Sequence, residues 1–168
     1  MNSIDNTIAG LELAQIGWVV PDIQAAVKFL SGALGIAGFP QPEHIRAQDL
    51  GMTYYGQVVA GEWLTAQTYN GGTFIELVQP ISGQSMFHDY LAKYPAGGTQ
   101  HLAFRLPVSD FDRVTGDLRK GHALISEVDH PIARMAFFDT YQTLGVATEI
   151  MGITPEGWIA IEQMQQAR

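Results

Sequence analysis

Four polar residues interrupt apolar runs of the chain at matching places. They are Gln15 in "LAQIGWVV", Glu76 in "TFIELV", His101 in "GGTQHLAFRLP" and Glu149 in "VATEIM". A carboxylate or imidazole inside such a run is costly to bury without a partner. Two glutamates, one histidine and one glutamine supply an imidazole nitrogen and several oxygens. That donor set suits a divalent cation such as Zn²⁺, Ni²⁺, Co²⁺, Mn²⁺ or Mg²⁺, whose charge two carboxylates neutralise. Taken singly, the plainer reading is favoured for each: Gln15 and His101 satisfy backbone groups, and Glu76 and Glu149 face water on half-exposed strands. Only their relation to one another selects the metal reading.

That relation is a repeat. Gln15-Ile16-Gly17-Trp18-Val19-Val20-Pro21 aligns with His101-Leu102-Ala103-Phe104-Arg105-Leu106-Pro107, so that polar, aliphatic, small, aromatic and proline positions coincide. The offset is 101 − 15 = 86 at the first strand and 149 − 76 = 73 at the last, which makes the second copy 86 − 73 = 13 residues shorter, in its loops. Each copy reads β-α-β-β-β. In the first, the strand 11–20 stops at "PD", and a helix follows with Asp22 as N-cap. The polar loop "FPQPEHIRAQDLG" comes next, then the strands "MTYYGQVV", "EWLTAQTY" and "TFIELVQP", the last two joined by an "NGG" hairpin. A connecting helix is predicted over 83–96. The second copy, 99–152, has a strand, a helix from about Asp110, and the strands "ALISEVD", "RMAFFDT" and "VATEIMG". The tail 154–168 reads as a final helix. The organisation is one domain, 1–168, with module one at 12–81.

Composition narrows the function classes. The 168 residues are 46% hydrophobic and 15% charged, as in an ordered globular protein. A net charge of −8, with nine scattered basic residues, argues against nucleic acid. No cysteine is present, which removes disulfides, thiolate ligands and thiol nucleophiles. The first twenty residues lack a secretory pattern, and no apolar run reaches the roughly 20 residues of a membrane helix, so a cytoplasmic protein without membrane contact is expected.

The stretches "QIGWVVPDIQAAVKFL", "FIELVQP", "GGTQHLAFRLP" and "AFFDTYQTLGVATEIM" resemble the vicinal oxygen chelate superfamily, the fold of glyoxalase I, methylmalonyl-CoA epimerase and bleomycin-resistance proteins. The resemblance spans Leu13 to Met151. It implies an α+β fold in which two pseudo-symmetric βαβββ modules form a cleft with their curved mixed sheets. It also implies a divalent metal held by Gln15, Glu76, His101 and Glu149, where superfamily members place their ligands. Many members, methylmalonyl-CoA epimerases included, have histidine at the first of these positions. The Gln-Glu-His-Glu set is similar to that of eukaryotic-type glyoxalase I, although the surrounding loops differ.

By the same resemblance, Glu149 serves as ligand and base, with Glu76 as its pseudosymmetric partner. The chemistry is that of an isomerase, epimerase or lyase moving a proton beside a carbonyl on a small, fairly apolar carbonyl or acyl-thioester substrate. Trp63, Tyr55, Gln67, Phe104, Arg105 and Phe138 are the expected substrate contacts, with Trp18, Tyr54 and Tyr69 as further aromatic candidates. Arg105 shares strand parity with His101 and reads equally as a cavity residue that holds an anion or as a surface arginine beside a carboxylate. Chains of this fold often pair, so a homodimer is expected. Two other readings stand beside this one: a non-catalytic drug-binding protein of the bleomycin-resistance type, and a metal-dependent dioxygenase. Ring-cleaving dioxygenases rely on two histidines, and these positions offer one.

Overall fold

Residues 11–166 are described by a computed structural model. The first ten residues, part of the stretch read for a secretory pattern, lie outside the described residues, as do the last two of the tail. Chain order is β1 (Glu12–Val19), α1 (Ile23–Ala33), β2 (Glu43–Arg46), a 3-10 turn (Ala47–Leu50), β3 (Thr53–Tyr54), β4 (Gln57–Val58), β5 (Gly61–Asn70) and β6 (Thr73–Gly83). The connecting helix α2 (Met86–Lys93) follows. Then come β7 (Gly98–Pro107), α3 (Phe111–Leu118), β8 (Leu124–His130), β9 (Ala133–Phe138), α4 (Tyr141–Leu144), β10 (Ala147–Ile153) and α5 (Pro155–Gln166).

Local chemistry explains the element boundaries. Asp22 caps α1 by accepting from the Ala25 amide at 2.9 Å. Gly71 and Gly72, at φ 60° and 89°, make the two-residue turn that joins β5 to β6, as "NGG" predicts. Ser85 caps α2 through the Phe87 amide.

The strands form one curled half-barrel sheet in the order β2-β5-β6-β1-β7-β10-β9-β8-β3-β4. Apart from β3 and β4, this order is symmetric about the β1/β7 pair. β1 runs parallel to β6, β7 runs parallel to β10, and β1 and β7 are antiparallel to each other. The two modules therefore meet edge to edge across a pseudo-twofold axis.

One expectation is corrected. "MTYYGQVV" is not the second strand of module one. That place is taken by β2, inside the stretch read as a polar loop, which pairs with β5. The residues 47–58 leave module one, and their hairpin adds to the far edge of module two, where β3 pairs with β8. β2 escaped the pattern because its short run "EHIR" is largely exposed and has no apolar alternation to read.

Three apolar clusters divide the interior. α1 covers the outer face of module one through Ile23, Leu30, Ile75 and Leu77, with Trp18 packed against them. α3 covers the outer face of module two through Phe111, Val114, Phe138 and Ile150, with Phe104 against them. The third cluster fills the inner face at one end, where Trp63, Met86, Phe87, Val78 and Phe137 meet. Each large side chain buried there stabilises the fold by roughly 1.5–3 kcal/mol. The opposite end of the inner face is covered by α5. Thr154 caps this helix by accepting from the Gly157 amide at 3.1 Å, and its own N–H and hydroxyl donate to the Ile132 carbonyl. No helix among the described residues is long and apolar enough to cross a membrane.

Candidate metal centre

The site lies on the inner face of the four central strands, one residue from each. Strand pairing sets their spacing. Gly17 of β1 sits between Glu76 of β6 and His101 of β7, while Ala103 of β7 sits between Gln15 of β1 and Glu149 of β10. These two rows are interchanged by the pseudo-twofold axis. The small residue in each row leaves room for its neighbours. A Cβ placed on Gly17 would stand 1.9 Å from His101 Cε1, because the imidazole lies over that glycine.

The four side chains converge. Gln15 Nε2 donates to Glu76 Oε2 at 2.9 Å and is 3.2 Å from His101 Nε2. His101 Nε2 is 3.4 Å from both Glu76 Oε2 and Glu149 Oε2. Thr65 Oγ1 donates to the other Glu76 oxygen at 3.3 Å. His101 and Glu149 are fully buried, and Gln15 is nearly so. Glu76 keeps 21% of its side chain exposed and connects the site to solvent.

A residue not singled out in the sequence orients the imidazole. Gln100 Nε2 donates to the Tyr141 hydroxyl at 3.0 Å, so its Oε1 faces His101 Nδ1 at 2.7 Å. The ring proton is thereby held on Nδ1, and Nε2 is turned toward Gln15, Glu76 and Glu149. Strict alternation would send Gln100 to the other face from His101. A β-bulge prevents this: His101 pairs with Gly17 and Thr99 with Trp18, which leaves Gln100 as the extra residue. A second irregularity, between Leu13 and Gln15, brings Ala14 to the same inner cavity as Gln15.

Burial pushes the Glu149 carboxyl up to about 7. His101 pulls it partly back down, and Glu76 adds to the rise. Burial alone would lower the His101 pKa, but the two carboxylates outweigh it and the net shift is upward. Glu149 Oε2 is buried without a hydrogen-bond partner.

Among the described residues, no three His, Asp or Glu side chains stand in finished ligand geometry. The donor set nevertheless fits a divalent cation. Glu149 Oε2 lacks a partner, His101 Nε2 faces two carboxylates, and turning over the Gln15 amide would present its oxygen to the same point.

The other expected contacts divide. Gln67 and Arg105 line a cavity of about 100 Å³ together with Gln15, beneath α5. Trp63 does not line it; it packs edge-on to Phe87, ring centroids 5.2 Å apart, within the inner-face cluster. Phe104 and Phe138 face α3 on the outer side, and Trp18 faces α1. Alternation along the strands decides this. Phe137, not Phe138, meets His101 edge-on at 5.4 Å. Tyr54 and Tyr55 line a separate groove of about 340 Å³ at the α2 end, with Tyr90, Tyr94 and Tyr141. Tyr69 lines another cleft with Gln67 and Phe74.

The profile of the Glyoxalase/Bleomycin resistance protein/Dioxygenase superfamily matches residues 14–136. The chain belongs to this superfamily. Its members typically use a divalent metal. Among solved structures, it is similar to the methylmalonyl-CoA epimerase of Mycobacterium tuberculosis, with 24% identity, a TM-score of 0.61, and coverage of 93% of this chain and 95% of that one. It is also similar to a Streptomyces coelicolor methylmalonyl-CoA epimerase variant in complex with 2-nitronate-propionyl-CoA, with 23% identity, a TM-score of 0.60, and coverage of 86% and 96%. A hypothetical protein from Bacillus halodurans C-125 aligns with 23% identity, a TM-score of 0.59, and coverage of 84% and 94%. At such identities the likeness is one of fold. None of the curated proteins matches the chain.

Proposed function

We propose that the protein is a metal-dependent isomerase, epimerase or lyase that moves a proton on the carbon next to a carbonyl of a small, fairly apolar carbonyl or acyl-thioester substrate. Gln15, Glu76, His101 and Glu149 would hold the metal, which when bound supplies Lewis acidity toward the substrate oxygen. The supporting observation is the convergence of the donors: Glu149 is buried with an oxygen that has no hydrogen-bond partner, 3.4 Å from His101 Nε2, which is equally close to Glu76. A carboxylate beside the bound substrate oxygen is placed to take a proton from the adjacent carbon and return it. Glu149 is the proton carrier in this reading.

The remaining residues hold the arrangement. Gln100 fixes the imidazole tautomer, Thr65 orients Glu76, and the apolar plug of Phe87 and Phe137 keeps water from one side of the ring. A non-catalytic drug-binding role leaves the burial of Glu149 and His101 in one cluster without a purpose.

The test is isotope exchange. Metal-reconstituted protein is incubated in D₂O with hemithioacetals of 2-oxo aldehydes and with short acyl thioesters, and deuterium at the carbon beside the carbonyl is read by NMR. Exchange that Glu149→Gln abolishes is the expected result. Exchange that persists in Glu149→Gln contradicts the assignment, as does none with any probe.

A further inference from the structure

The pseudo-twofold axis that relates the two halves of the site also exposes where the two ends of the barrel differ. The counterpart of Arg105 is Val19, since 105 − 86 = 19. Val19 belongs to the apolar plug, whereas Arg105 brings a guanidinium to the end beneath α5. Arg105 is 9% exposed. Its Nε and Nη2 are both 3.0 Å from Oε2 of Glu12, its cross-strand partner, and its guanidinium lies 5.3 Å from the Trp158 ring. Nη1 is buried with no partner.

A buried guanidinium nitrogen without an acceptor costs free energy that a structural role does not explain, because Glu12 and Trp158 already position the group. The surroundings specify what would satisfy it. Arg105 lines the cavity that Gln15 also lines, and the other walls include Ile132, Met151, Ile161 and Met164. Along β7, Arg105 stands two residues beyond Ala103, about 7 Å of strand, and Ala103 sits between Gln15 and Glu149.

We propose that Arg105, which lines this cavity, anchors a carboxylate, so that the ligand is a carboxylic acid with a short apolar body lying between Arg105 and the metal centre. That the acid is the substrate rests on the reading of the site given above; the anchoring of a carboxylate does not. The cavity's volume of about 100 Å³ limits the body to a few carbons.

Hexanoate is the probe and hexanamide its uncharged control, titrated into chelator-treated protein so that no metal can bind the carboxylate. Fluorescence of Trp158 against Arg105 is the readout, with Trp158→Phe identifying its share of the signal. The expected result is saturable binding of hexanoate and none of hexanamide. Arg105→Gln should weaken hexanoate about tenfold or more, whereas Arg105→Lys should retain part of the affinity. Ala160→Phe, which fills the cavity and leaves the arginine intact, should lose binding independently. Equal binding of hexanoate and hexanamide, equal affinity in Arg105→Gln, or no binding to the wild type would overturn the proposal. Hexanoate binding without isotope exchange would sink the proposed reaction and leave the subsite standing; exchange without hexanoate binding would do the reverse.

Discussion

The imidazole of His101 occupies the space where a side chain on Gly17 would be: an added Cβ would fall 1.9 Å from Cε1 and 2.2 Å from Nε2. The two residues are directly paired across β1 and β7, so neither backbone can withdraw without breaking the central pair of the sheet. Gly17→Ala should therefore displace the ring. The expected outcome is a loss of stability of about 1–3 kcal/mol by overpacking and at least a tenfold loss of metal affinity. Ala103→Gly, the substitution at the pseudosymmetric position, relieves space and should leave metal affinity within about threefold, at a strand-propensity cost of roughly 1 kcal/mol. Denaturant titration and metal competition with a chromophoric chelator measure both.

Gln100 carries a second expectation. Gln100→Leu removes the acceptor from His101 Nδ1 and the donor to Tyr141, so the ring can present its protonated nitrogen to the carboxylates. Metal affinity should fall about 10–100-fold, and the metal-free protein should lose about 1–3 kcal/mol of stability as the buried Nδ1–H loses its acceptor. Isothermal titration with Zn²⁺ and Co²⁺ checks this. Tyr141→Phe, which leaves Gln100 Oε1 in place, should have the smaller effect.

The pH dependence of the metal-free protein follows from the raised pKa values. Glu149 stands at about 7 in the fold against its ordinary 4.5, and His101 is also shifted upward. For both, the contribution to stability is fully present below the ordinary pKa and is lost as pH rises through the folded value. Between about pH 5 and pH 8 the wild type should lose Tm relative to Glu149→Gln, by roughly 5–10 °C. Metal binding requires deprotonated ligands, so the stabilisation on adding metal should grow over the same interval. Scanning calorimetry of both proteins, with and without metal, tests the sign.

Much of this architecture was legible because duplication writes itself into the chain. Gln15 and His101, and Glu76 and Glu149, sit at equivalent places of two copies, and the structure brings all four to one point. What was not legible has specific causes. The excursion 47–58 pairs with the other module, and local pattern carries no information about a strand's distant partner. Gln100 was hidden by a bulge, which reverses the facing that alternation predicts. Phe104 and Phe138 were misassigned although parity with His101 and Phe137 points them outward; aromatic character outweighed the rule that decides facing. The cover formed by α5 depends on Thr154 and Gly157 docking at the Ile132 carbonyl, a contact no spacing announces.

In the reading proposed above, Gln15, Glu76, His101 and Glu149 form one metal centre. Metal content measured by plasma mass spectrometry, on untagged wild type and on Glu149→Gln after reconstitution with Zn, Ni, Co or Mn, tests it most directly. A shared centre requires close to one divalent ion per chain in the wild type and its loss in the variant, with the variant the more thermostable of the two when both are metal-free at pH 8. No metal in the wild type, or equal metal in both, would contradict it, and His101 would then be a core histidine held by Gln100.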